Sequence, residues 1–202
     1  MKLFSNLAFT AGLFAVSSFA AQWNIDPGHS SASFAVRHMM VSTVHGSFSG
    51  LKGTVDYDPS NVAASKVSLT IDATTVDTRN ENRDKDLKSP NFFDISKYPS
   101  ISFASKRIVP GSAGKFQLIG DMTMHGVTKE VTFDVEGPAA PIKDARGNLH
   151  SGATATTRLN RKDFGLIWNK TLDGGGAMVG DDVDVTVEVE LVQMKPAGAT
   201  AN

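Results

Sequence analysis

Along much of this chain apolar and polar residues alternate one by one, the spacing that sends successive side chains to opposite faces of a β-sheet. The clearest run is Val183, Val185, Val187, Val189 and Leu191, interleaved with Asp184, Thr186, Glu188 and Glu190. Val67, Leu69 and Ile71 alternate with Ser68, Thr70 and Asp72, and Val131, Phe133 and Val135 alternate with Thr132, Asp134 and Glu136. Each run predicts an antiparallel strand with one dry and one wet face. Ala32, Phe34 and Val36 predict another. From Val44 to Tyr57 the apolar parity slips between Phe48 and Leu51, so a bulge or bend is expected at Gly50. Further strands are expected at Gln22–Asp26, Ile101–Ile108, Phe116–Met124 and Gly152–Leu159, separated by turn formers such as Asp26-Pro27-Gly28 and Arg146-Gly147-Asn148.

One segment breaks the pattern. Thr78-Arg79-Asn80-Glu81 has the form of a capping box and predicts a short helix over Arg79 to Lys88, stopped by Ser89-Pro90. Leu87 is its one apolar residue, so Phe92 and Phe93 must anchor it. A second helical turn is expected over Lys162 to Ile167, a flexible glycine-rich loop over Asp173 to Asp182, and a frayed tail over residues 196–202. Eight or nine strands with one helix argue for an all-β antiparallel barrel or sandwich, and closure is the way to remove long exposed edges.

Composition narrows the function. The 202 residues are 41% hydrophobic, with 20 basic against 21 acidic residues and a formal net charge of −1. One globular domain is expected over residues 21–195, with no basic field to attract nucleic acid or anionic headgroups. The absence of Cys excludes a disulfide framework, a thiolate zinc site and a cysteine nucleophile. Residues 1–20 read as a signal peptide: Lys2, the apolar stretch Leu7 to Val16, then Ser18-Phe19-Ala20, with cleavage after Ala20. Its apolar run falls short of the ~20 residues that span a bilayer. The mature chain is therefore expected in the periplasm.

Candidate chemistry is sparse. Five His (His29, His38, His45, His125, His150) include no HExxH pair, so no metal site is expected and the histidines read as hydrogen-bonded or turn residues. Asp163-Phe164-Gly165 lacks the companion motifs of a kinase, and no nucleophile elbow occurs. No catalytic residue and no cofactor is expected. Arg83 and Asp84 either tie the helix to the sheet or mark a site, and Arg161 is expected to pair near Asp163. Large inward residues, among them Phe34, Phe48, Phe103, Phe116, Phe133, Phe164, Met122 and Met124, either fill the barrel or line a ligand cavity.

Several motifs in order resemble one family. They begin with Asp26-Pro27-Gly28-His29-Ser30, Phe34-Ala35-Val36-Arg37-His38 and Gly46-Ser47-Phe48. Asn82-Arg83-Asp84, Leu87-Lys88-Ser89, Phe92-Phe93-Asp94, Tyr98-Pro99 and Ile101-Ser102-Phe103 follow. Gly120 to Lys129, Asn160 to Gly165 and the closing strand Val183 to Leu191 complete the set. Together they resemble the YceI-like family of exported proteins over nearly the whole mature chain. The resemblance implies an extended, antiparallel, eight-stranded lipocalin-like barrel with one short helix after the fourth strand. It also implies a non-enzymatic protein whose tunnel holds a long isoprenoid, a polyprenyl chain or a quinone tail.

On that reading, strand parity assigns the wall to Phe34, Val36, Phe48, Leu69, Ile71, Phe103, Leu118, Met122, Phe133, Val185 and Val187. The polar mouth is assigned to Arg37, His38, Arg83 and Asp84, with the helix as a movable cover. The expected partner is a long-chain isoprenoid or related amphiphile, and the reading leaves room for a transient membrane contact and a homodimer. Three function classes stand side by side: a lipid carrier or store, an enzyme acting on a bound lipid, and a stress factor with a filled barrel.

Overall fold

The alternating segments pair edge to edge until the sheet closes on itself. The computed structural model describes residues 21–112 and 114–193. The expected leader, residues 1–20, and the expected tail, residues 196–202, lie outside the described residues. The strands are β1 (Ala21–Ile25), β2 (Ser31–His38), β3 (Ser42–Phe48), β4 (Leu51–Tyr57), β5 (Lys66–Asp72), β6 (Ser100–Pro110), β7 (Lys115–Met124), β8 (Val127–Glu136), β9 (Ile142–Lys143), β10 (Leu149–Asn160) and β11 (Val179–Gln193).

β1 and β2 pair in succession with one edge of β11, while β10 pairs with its other edge. β4 pairs with β1 and β3 with β2, so β1 with β2 serves as one bent strand and β3 with β4 as the next. β5, β6, β7, β8 and β10 then complete a closed antiparallel ring of eight, with β9 alongside β10. This is the all-β, lipocalin-like barrel that the motifs imply. All pairings are antiparallel, as one-sided alternation requires.

The parity slip at Gly50 is the break between β3 and β4. A Cβ on Gly50 would stand 2.6 Å from the Asp72 Cβ, so glycine alone lets the bend approach the end of β5 this closely. The inward rows carry the core: Leu51, Ile71, Ile101, Phe103, Leu118, Met122, Phe133, Val187 and Leu191 are all buried. Phe103 and Phe133, on the strands that flank β7, meet edge to face over it with ring centroids 5.4 Å apart, a geometry worth roughly 0.5–1.5 kcal/mol beyond area burial.

The helix departs from its expected start. α1 spans Glu81–Lys88, and its N-cap is Asn80, whose side chain accepts from the Arg83 N–H at 3.0 Å. Arg79 has a φ of 62°, so the chain reverses hand there and no capping box forms at Thr78. Thr78, buried, instead gives its hydroxyl to Asp84. α1 buries no residue fully, in keeping with its single apolar side chain, and the Phe93 N–H binds back to the Leu87 carbonyl at 2.9 Å. The expected turn at Lys162–Ile167 is a 3-10 turn over Arg161–Phe164, ended by Gly165 at φ 78°. The loop expected over Asp173–Asp182 is shorter than its composition suggests, because β11 begins at Val179 and Gly180 packs on Arg37.

Candidate ligand-binding site

A shaft runs through the ring. The centre of a water-sized sphere has about 210 Å³ to move in, and the wall around that space is apolar. It extends from Tyr57, Val62 and Pro138 at one rim to Leu87, Phe93 and Arg161 at the other. All eleven side chains assigned to the wall by parity line it: Phe34, Val36, Phe48, Leu69, Ile71, Phe103, Leu118, Met122, Phe133, Val185 and Val187. Several inward residues, Leu69, Val183, Val185, Val189, Ala153 and Ala155 among them, are only half-buried although their strands face the interior. In a filled barrel they would be sealed by their neighbours across the ring.

Three polar residues on the wall, Ser33, Ser65 and Arg161, are spent on backbone. Ser33 donates to the Thr186 carbonyl at 3.2 Å, and the Ser65 hydroxyl accepts from the Asp58 N–H at 3.0 Å. Arg161 is buried, with 5% of its surface exposed. Its guanidinium donates to the carbonyls of Gly180 at 2.8 Å, Trp168 at 2.9 Å and Leu166, and lies 3.4 Å from Asp181. Asp181, near the start of β11, takes the partnership expected of Asp163. Burial favours the neutral form and pushes this guanidinium's pKa down, while Asp181 opposes the shift.

A polar cleft opens at the α1 rim. β3 pairs with β2 on one side only; its other edge meets the segment before α1 through a single bridge, Ser47 to Asp77, with both N–H···O bonds at 2.9 Å. Ser42, Thr43, His45, Asp77, Thr78 and Arg79 line the gap, together with His38 and Arg83, and Ser33 lines both cleft and shaft.

The four residues assigned to the mouth therefore separate. His38 and Arg83 border the cleft. Arg37 points away, bonded to the Thr43 hydroxyl at 3.0 Å and the Met40 carbonyl at 2.8 Å. Asp84 accepts from the Thr78 N–H at 2.9 Å and from its hydroxyl, and Arg83 Nε donates to that hydroxyl at 2.7 Å. Arg83 and Asp84 thus clamp the start of α1 to Thr78, in the segment that leads into the helix, and not directly to a strand. Strand parity could not find His45 and Arg79, which reach the cleft only because the edge of β3 folds against the approach to α1.

The outer wall carries a separate charged network. His150 bridges Glu190 at 2.8 Å and Asp144 at 3.2 Å, and His29 pairs with Asp26 at 3.0 Å where β1 turns into β2. Glu190 raises His150 above its ordinary value of 6.5, aided by Asp144, and Asp26 likewise raises His29. Burial is the largest single influence on Asp144 and pushes its carboxyl up. Bonds from Asn148, His150 and Arg146 together outweigh it and hold the group at about 2.

The signs fix a pH window. Raised histidines stabilise the fold below about 6.5, their unfolded value, and that contribution is lost as pH rises through the folded values. The lowered Asp144 stabilises above about 4 and is lost as pH falls toward 2. Thermal melts are therefore expected to peak between these limits and decline as pH rises above about 6.5. His150→Gln should flatten the alkaline limb, and an unchanged limb would refute the assignment.

A YceI-like domain model matches residues 23–191. The UPF0312 protein SAS2572 of Staphylococcus aureus is 34% identical over 168 residues, covering 83% of this chain and 95% of that protein. The Campylobacter jejuni YCEI protein superposes with a TM-score of 0.66 at 28% identity, covering 79% of this chain and 90% of its own. A polyisoprenoid binding domain from Saccharophagus degradans shares the fold at a TM-score of 0.61 and 13% identity, covering 88% of this chain and all of its own. Closed barrel, motif order and the match over residues 23–191 agree: the chain belongs to the YceI-like domain family.

Proposed function

We propose that this protein is a non-enzymatic carrier or store that holds a long isoprenoid, or a similar single-chain amphiphile, inside its barrel in the periplasm. The observation that carries the reading is the apolar shaft of about 210 Å³, with a polar cleft beside it at the α1 rim. Flexible hydrocarbon fits a narrow wall of Phe, Val, Leu and Met side chains, and a polar headgroup fits the cleft beside His38, His45, Arg79 and Arg83. The fold is shared with a domain named for polyisoprenoid binding, which supports the same class of ligand. Ser33, Ser65 and Arg161 on the wall are held by backbone partners, which supports a binding role for the shaft over a catalytic one.

Energetics favour exchange over capture. Each buried CH₂ is worth about 0.8 kcal/mol against water, so a long tail taken from water would nominally exceed the ~20 kcal/mol ceiling on noncovalent affinity. The physiological donor is a bilayer, where hydrocarbon surrounds the chain on both sides of the transfer and most of that free energy cancels. Selectivity then comes from shaft length and the cleft, because an apolar wall discriminates weakly. Delipidated protein titrated with isoprenoids of increasing length should bind more tightly until the chain outgrows the shaft, then no further. Affinity independent of chain length would overturn the reading.

The passage of ligand runs through the seam between β3 and α1. Ser47 and Asp77 form a hydrogen-bonded antiparallel pair, whose Cα separation of about 5.5 Å suits a disulfide, and the chain has no Cys to interfere. Oxidised Ser47→Cys/Asp77→Cys protein should exchange lipid on the order of tenfold more slowly than its reduced form. Equal rates in the two forms would place the entry elsewhere.

A further inference from the structure

The hairpin joining β2 to β3 contradicts ordinary turn chemistry. Met39 and Met40 have φ values of 49° and 62°, consecutive left-handed residues closed by the Val41 N–H to the His38 carbonyl at 3.1 Å. Asn and Gly favour such positions, and large side chains are rare there. The same three residues are exposed: Met39 by 42%, Met40 by 67% and Val41 by 80%. Ile167, 70% exposed, lies in the segment that reaches this hairpin through Met178, which bonds Lys170 at 2.9 Å and Met39 at 2.7 Å. Most other large apolar side chains of the described residues are at least half-buried. Val109 and Ile142, exposed by 44% and 71%, stand apart toward the other rim, so the one run of consecutive exposed apolar side chains among the described residues is this hairpin.

The hairpin is also held rigid. Arg37 donates to the Met40 carbonyl at 2.8 Å and the Thr43 hydroxyl at 3.0 Å, and Met39 is tied to the lead-in of β11. Its two legs, through His38, Ser42 and Thr43, line the polar cleft. The described chain starts and ends at the other rim, Ala21 beside Tyr57 and Gln193 beside Trp23.

We propose that the Met39-Met40-Val41 hairpin is a membrane-docking wedge that seats the cleft of the barrel on a phospholipid bilayer. The inference rests on the carrier reading for its purpose, but not for its test. A rigid turn that presents three consecutive apolar side chains next to the polar cleft matches the apolar layer just beneath headgroups, where such side chains bury without ordering a flexible loop. With a chain charge of −1, the contact is driven by apolar burial rather than by attraction to anionic lipid. Docking there brings the cleft to the bilayer surface, so that a lipid tail need not cross water.

The test uses Met39→Asn/Met40→Gly, which installs the preferred residues for this turn, with Val41→Ser added in a second variant. Flotation with vesicles of phosphatidylethanolamine and phosphatidylglycerol should carry the parent protein upward and lower the variants' partition by about a hundredfold. The variants' melting temperature should be equal or higher, so the loss cannot be ascribed to unfolding. Uptake of an isoprenoid presented in detergent micelles should be unchanged. Variants that float like the parent, or a parent that does not float, would overturn the wedge. So would a parent dimer that the variants dissolve, since the surface would then serve a second copy. Flotation that behaves as expected while micellar uptake fails in every form would remove the carrier reading and leave the wedge standing.

Discussion

Ala155→Phe is expected to abolish isoprenoid uptake, by a hundredfold or more, while the barrel stays folded. Ala155 faces the shaft from β10, opposite Val135 on β8 and Val187 on β11, and remains half-buried although its strand neighbours are complete. A phenyl ring there projects into open space rather than into packed atoms. It takes up the cross-section that a hydrocarbon chain would need, and its own burial offsets the lost freedom of the side chain. In a solid core the same change would overpack, at a cost of typically 1–3 kcal/mol. Ligand titration and thermal melting, measured together, separate the cases. Lost binding with an unchanged or higher melting temperature is expected, and a fall of several degrees with binding retained would contradict the hollow shaft.

Arg161→Met should be the most destabilising single change in the barrel. The side chain is buried, and its guanidinium serves the carbonyls of Gly180, Leu166 and Trp168 as well as Asp181. Methionine fills a similar length but donates nothing, so carbonyls at the rim of an apolar shaft lose their partner together. Removing one side of such a buried charged network costs about 3–5 kcal/mol, equivalent to roughly 10 °C for a domain of this size. Arg158→Met on the preceding strand is the control. Arg158 pairs with Asp184, but both side chains are more than half exposed, at 66% and 59%, and solvent screens them. Denaturant melts should separate the two variants clearly, and equal stabilities would mean that Arg161 is not the fastener of residues 165–168.

The wall was legible because it depends on a period of two, which any register-respecting sheet must obey. Once Val183 to Leu191 alternates, the inward row of β11 is fixed before any tertiary contact is known, and Leu69, Phe103 and Phe133 follow in the same way. Whether that row encloses space was not legible, because hollowness depends on strand number and ring closure, not on any one strand. Arg161 shows a second limit. Its partners are carbonyls of residues 166–180, and neighbours in the chain pointed to Asp163 instead. The start of α1 shows a third: Thr78-x-x-Glu81 is a sound capping signal, but the left-handed Arg79 moves the cap to Asn80 and frees Thr78 to receive Asp84 and Arg83. The Met39-Met40 turn is hidden for the opposite reason, since local propensity argues against the conformation it adopts.

Organic extraction of protein purified without detergent from its own host, followed by mass spectrometry, asks directly what the shaft is for. A stoichiometric long-chain isoprenoid, absent from a parallel preparation of Ala155→Phe, is the predicted outcome. Parent protein that yields no lipid, together with a denaturation profile unaltered by added isoprenoid, would contradict it.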